Sequence, residues 1–293
     1  MQALLSFFRR IAAFFTGLAA MIASFFGGGG AQPFAPVLEN RYAGTEVYEA
    51  VQVTFPAEDA AVGAYTVWYP AGAENCPAVL SLNGTGQKTS WFQDYFSRIA
   101  SFGIVAIGTE DTAPGHGDSA QMALAFLLTQ NADPDSVLFG KVNTDKIGIA
   151  GYSQGGSGAL RSASLLPFAE AFCTVAVISP SNETQAHSMG WDYDPSRISV
   201  PVFILSGTAD DDAAGTVTSL SQLQETFIKL AGPKAMARKT GAGHQNARQE
   251  TGGYVVAWLC WQLCGDTEAA KVFTGGAPEI AANPDWQDVC LQF

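Results

Sequence analysis

Apolar residues fall along the chain in short blocks separated by polar or Gly/Pro-rich turns, and the pattern within each block predicts its element. Thr45–Phe55 partly alternates apolar and polar side chains and reads as a strand; Ala64–Tyr69 is a second, placed to pair with it antiparallel. From Pro77 onward the strands change character. Pro77–Leu82, Ile104–Gly108, Lys146–Ala150, Cys173–Ser179, Val202–Ser206 and Ala235–Lys239 are short and largely apolar, with little room for a wet face. Between them lie helical stretches at Ser90–Phe102, Ser119–Gln130, Gly156–Leu166, Val217–Leu230 and Tyr254–Leu263. Ser90 can cap the first, with Trp91, Tyr95 and Ile99 along one side. Buried strands alternating with helices predict an α/β fold, a mostly parallel sheet covered on both faces. The segment between Ile178 and Val202 is too short for a helical lid domain, so an open site is expected.

One strand-to-helix junction carries a chemical pattern. Ile147–Ala150 runs into Gly151-Tyr152-Ser153-Gln154-Gly155, which is G-x-S-x-G, and then into a helix. A turn this tight leaves little room for side chains beside the serine, and glycine at both ends relieves the crowding. The hydroxyl of Ser153 is then presented at the carboxyl edge of the sheet. The helix that follows points backbone N–H groups and a positive dipole end at the same place.

A nucleophilic serine needs a base and an acid from later strands. Val202–Ser206 leads into Gly207-Thr208-Ala209-Asp210-Asp211-Asp212, which puts a carboxylate just past a strand end. Asp210 is the expected acid and Asp211 the alternative; a solvated acidic loop or a weak calcium site is the non-catalytic reading. The histidines are His116, His187 and His244. Only His244 follows a late strand and precedes the last helix. Ser153, Asp210, His244 is the chain order of an α/β-hydrolase. The imidazole would take the serine proton, and the acid would hold its tautomer. The oxyanion would be met by the backbone N–H of Gln154 and that of Thr85, each worth about 3 kcal/mol of barrier.

The chain's net charge of −12 over 293 residues argues against nucleic acid, whose phosphates need clustered Lys and Arg. Residues 1–38 hold no acid, and Arg9-Arg10 precede an apolar run from Ile11 to Phe26 and then small residues. That order is a secretory signal, with Gly29-Gly30-Ala31 as a cleavage site; an uncleaved anchor would be the sole membrane contact. The run is shorter than the ~20 residues of a membrane span. The expected organisation is a leader over 1–31, a linker over 32–42 and a single domain over 43–293. Export permits disulfides, and Cys260 or Cys264 bonded to Cys290 would tie the C-terminal tail to the last helix. No second ligand pair completes a metal site around Cys260 and Cys264. No cofactor is implied, and the chain is expected to act as a monomer.

At these residues the sequence resembles the lidless α/β-hydrolases: bacterial cutinases, polyester hydrolases and dienelactone-hydrolase-like esterases. Gly84–Trp91 is similar to their oxyanion loop, Asn131–Ile147 to the segment before the nucleophile strand, and Val200–Asp210 to the acid segment, in a register that favours Asp210. The resemblance implies a secreted serine carboxylic-ester hydrolase for small, medium or polymeric esters. A peptidase or acyltransferase on the same fold, or a non-catalytic surface binding protein, are the alternatives. Three positions depart from the family. Its polyester-cleaving members carry an aromatic residue where this chain has Thr85 and a methionine where it has Gln154. They also place a tryptophan shortly after the strand that follows the elbow, where this chain has Ser179–Thr184.

Overall fold

The computed structural model describes residues 34–209, 212 and 214–293. The leader expected over 1–31 lies outside them. Part of the expected linker does not: Val37–Ala43 form a helix, α1, with Glu39 and Tyr42 buried. The elements that follow are β1 (Ala50–Pro56), β2 (Ala64–Pro70), β3 (Cys76–Leu82), α2 (Gln93–Ser101), β4 (Val105–Thr109), α3 (Asp118–Ala132) and β5 (Val142–Tyr152). Next come α4 (Gln154–Ser164), β6 (Phe172–Ile178), α5 (Glu183–Ser188), β7 (Val202–Gly207), α6 (Leu220–Lys229) and β8 (Lys234–Lys239). The chain closes with α7 (Ala247–Glu250), α8 (Gly252–Leu259), a π turn at Cys260–Cys264, α9 (Thr267–Ala270), α10 (Glu279–Ala282) and β9 (Trp286–Gln292).

Among the described residues nine strands form one sheet in the order β1-β2-β4-β3-β5-β6-β7-β8-β9. From β4 through β8 every neighbour pair is parallel; β1, β2 and β9 are antiparallel edges. This is the α/β-hydrolase arrangement expected. The apolar strands owe their lack of a wet face to two cores. Val79, Ala150, Tyr152, Ala176, Ile178, Phe203 and Leu205 point to one side, against α2 and α8. Their neighbours Leu80, Ile149, Val175, Val177, Val202 and Ile204 point to the other, against α3, α4 and α6. Side chains alternate across a strand, so a strand buried on both faces must be apolar at every position. Helix α8 is apolar all round because it is covered all round: Tyr254 to Leu259 have no solvent exposure.

The C-terminal tail is held differently from expectation. All five cysteines are free, so no disulfide ties Cys260 or Cys264 to Cys290. Cys260 belongs to the core on one side of the sheet, whereas Cys290 packs against the core on the other. Backbone pairing replaces the bond: β9 lies antiparallel to β8, with Cys290 opposite Met236. The sequence offered no turn or period strong enough to mark β9.

Buried polar groups fasten α1 to this tail. Glu279 accepts from the N–H of Leu38 and of Glu39, both at 2.8 Å. The Glu39 carboxylate accepts from Lys239 Nζ at 3.0 Å, Trp286 Nε1 at 2.9 Å and Asn283 Nδ2 at 2.7 Å. Removing one partner of a buried pair strands the others. Glu39→Ala is therefore expected to lower unfolding stability by about 3 kcal/mol. In urea titration this reads as a lower midpoint at an unchanged slope; an unmoved midpoint would mean these donors find other acceptors.

Candidate active site

The carboxyl ends of β3, β5, β7 and β8 open onto one rim, and of the expected residues Ser153, His244, Gln154 and Thr85 gather there. Ser153 adopts φ 55°, ψ −124°, a left-handed conformation rare for a non-glycine residue and costing about 1–3 kcal/mol. Its surroundings impose the turn. A Cβ on Gly151 would sit 2.1 Å from the Gly155 carbonyl oxygen, and one on Gly155 would sit 2.3 Å from the Asn83 carbonyl oxygen. The two glycines of G-x-S-x-G thus let α4 start against the end of β3.

His244 comes from a 3₁₀ turn after β8 and is 5% exposed. Its Nε2 lies 3.0 Å from Ser153 Oγ. Its Nδ1 lies 3.0 Å from Oδ1 of Asp212, which has no solvent exposure. The carboxylate described on the ring is that of Asp212, a residue not singled out from the sequence; the expected Asp210 and its alternative Asp211 lie outside the described residues. Local contacts hold Asp212 there. Oδ2 of Asp212 accepts from Ser179 Oγ at 2.6 Å and from the N–H of Gly207 at 3.1 Å. The loop after β7 also turns back, with the N–H groups of Thr208 and Ala209 donating to the Ala242 carbonyl, just ahead of His244. This fold-back puts the third aspartate of the run beneath the ring. With its proton on Nδ1 facing the carboxylate, the ring leaves Nε2 free to accept from the serine hydroxyl.

Gln154 opens α4, so its N–H is one of the helix's first donors and has no intrahelical acceptor. Thr85 lies on the loop after β3, and its Oγ1 donates to Gln154 Oε1 at 3.0 Å, joining the two expected oxyanion residues. The loop is pinned from below: Asn83 Nδ2 and Thr89 Oγ1 donate to the Thr109 carbonyl at 2.7 and 2.6 Å.

A cleft of about 340 Å³ lies over this group, lined by Thr85, Gln87, Ser153, Ser181, Gln185, Met189, Trp191, Val217, His244 and Gln245. Sequence reading missed Asp212, Ser179 and Trp191. Trp191 reaches the cleft from beyond α5, where nothing in the sequence pattern marks it. The other histidines stand apart. His187 is on α5 with its Nδ1 2.5 Å from Asp192 Oδ1. His116 lines a separate cavity of about 510 Å³ with Asp59, Asp111 and Asp118. Among the described residues no group of His, Cys, Asp or Glu is placed to hold a metal ion.

The sheet order and the serine elbow define an α/β-hydrolase. Comparison with known proteins narrows this. The chain is 28% identical over 243 residues to cutinase est2 of Thermobifida alba, covering 78% of this chain and 73% of that one. It is 26% identical over 256 residues to cutinase 2 of Thermobifida cellulosilytica, covering 84% and 90%, and 26% identical over the same length to cutinase cut1 of Thermobifida fusca, covering 84% and 74%. Residues 29–290 match the PET hydrolase-like (PETase) family, and the chain belongs to that family of carboxylic-ester hydrolases.

The elbow yields a direct prediction. Gly155→Ala drives a methyl into the backbone of Asn83 and should cost about 3 kcal/mol, the upper end for overpacking. The melting temperature should fall by roughly 6–12 °C in a domain of this size. A melting temperature equal to the parent's would refute so close an approach of α4 to β3.

Proposed function

We propose that the chain is an exported serine hydrolase that cleaves carboxylic esters, polyester chains among them, through an acyl-enzyme on Ser153. The observation that carries this reading is the unbroken line from Ser153 Oγ to His244 Nε2 and from Nδ1 to Asp212, 3.0 Å at each step. In the reaction, Ser153 Oγ attacks the ester carbonyl while Nε2 takes its proton. The N–H groups of Gln154 and Thr85 meet the oxyanion. The imidazolium, held by Asp212, returns the proton to the departing alcohol. Water then adds to the acyl-serine by the same path in reverse and releases the acid.

The cutinase relatives and the family support the ester substrate and its polymeric form. The cleft supports small and medium acyl groups, with Trp191 and Met189 as apolar surfaces beside the polar Thr85, Gln185 and Gln245. Export is supported by the basic, then apolar, then small-residue order of residues 1–31. Among the described residues no helix is long and apolar enough to cross a membrane.

Two sets of variants test the assignment with short p-nitrophenyl esters. Ser153→Ala should lose turnover and fluorophosphonate labelling altogether; retained turnover would end the reading. Asp212→Asn should lower kcat by about 10⁴-fold, the cost of a wrong tautomer, while Asp210→Asn stays within tenfold of the parent. The reverse ranking would return the acid role to Asp210. Peptide and acyl-acceptor panels separate hydrolysis of esters from the peptidase and transferase chemistries that share the acyl-enzyme.

A further inference from the structure

Behind the catalytic rim lies a cation with no counter-ion among the described residues. Arg248, on the first turn of α7 and four residues after His244, is 2% exposed. Among the described residues it forms no ion pair. Its Nη2 donates to the carbonyl of Leu82 at 2.9 Å. Leu82 ends β3 and feeds the loop that carries Thr85. The guanidinium carbon lies 4.4 Å from the ring centre of Phe92 and 5.5 Å from those of Tyr95 and Tyr152. Its Nε and Nη1 meet no acceptor among the described residues. Tyr152 directly precedes Ser153, and its hydroxyl donates to the carbonyl of His244 at 2.5 Å. One side chain therefore touches the exit of β3 and the residue before the nucleophile, from the turn that follows the histidine.

Packing alone does not account for an arginine here. Burial disfavours its charged form and lowers its pKa, and an apolar side chain of similar volume generally serves a core as well as a buried charge does. A guanidinium nonetheless stays protonated in proteins.

We propose that Arg248 is a positioning residue for the ester-cleaving reaction. Its planar fork keeps the β3 exit, the elbow strand and the His244 turn in register. Its charge, in low-dielectric surroundings behind the Thr85 loop, favours the negative charge that grows on the attacked carbonyl oxygen. The role rests on the function proposed for Ser153. It acts on the step in which charge develops and not on substrate binding, so its loss appears in kcat with KM little changed.

The test uses the full chain and p-nitrophenyl butyrate, with kcat expressed per fluorophosphonate-labelled site so that misfolded protein is not counted. Arg248→Met should lower per-site kcat by about 100-fold, as loss of one oxyanion donor does, with KM within threefold of the parent. Arg248→Lys, which keeps the charge and loses the fork, should recover roughly tenfold of that loss, leaving kcat about tenfold below the parent. If the methionine variant does not fold, the lysine variant decides alone. Arg98→Met removes a neighbouring cation from the same aromatic-lined cavity and should leave kcat within twofold. The inference is overturned if Arg248→Met keeps per-site kcat within threefold, if Arg248→Lys equals the parent, if the loss lies only in KM or in the number of labelled sites, or if Arg98→Met loses as much. A parent without Ser153-dependent turnover refutes the proposed function and this role together; parent turnover with an unaffected Arg248→Met refutes this role alone.

Discussion

The close approach of the start of α4 to the end of β3 is the constraint from which the arrangement at the candidate catalytic rim follows. Gly155 meets the backbone of Leu82 and Asn83 at a distance no side chain tolerates. The contact forces Ser153 into its left-handed conformation and brings the loop after β3 alongside the first N–H groups of α4. Strain at the serine persists because the sheet around it is over-determined: the N–H of Ser153 donates to the Ile178 carbonyl of β6, and Gly151 pairs with both β3 and β6. The candidate nucleophile and the candidate oxyanion donors are thus products of one packing event.

The histidine–carboxylate pair depends on a second one. The loop after β7 folds back on the loop after β8 through backbone bonds to Ala242, and Ser179 and Gly207 supply the donors that hold the Asp212 carboxylate. Ser179 itself has φ 45° at the end of β6. A buried carboxylate is tolerable only with such partners. Asp212 has three, Ser179, Gly207 and His244.

Polar groups buried far from the rim do a different job. Glu39 and Glu279 knit α1, β8, α10 and the start of β9 into one hydrogen-bonded cluster, and Tyr42 adds a 2.6 Å bond to Asp266. Each carboxylate has several donors, in contrast to Arg248, which has one carbonyl and three aromatic rings. The first arrangement is how a fold makes buried charge stable.

The sequence by itself determined the parallel core, because strands buried on both faces must be apolar throughout and those runs are visible without a structure. It pointed to Ser153 and His244 as candidates, since a strand-bounded G-x-S-x-G and a late-loop histidine stand in the chain order of a serine hydrolase, and the structure brings the two within 3.0 Å of each other. It did not separate three consecutive aspartates: neighbours in a loop differ only in where the backbone aims them, and that is set by contacts with Ala242, Ser179 and Gly207. Nor did it reveal Trp191, which reaches the cleft from beyond α5, or α1 and β9, whose short segments are stabilised by partners more than 200 residues away and by pairing with β8. Periodicity reports what each segment buries. Only the tertiary structure decides which of several similar side chains meets its partner, because that depends on contacts between segments distant in the chain.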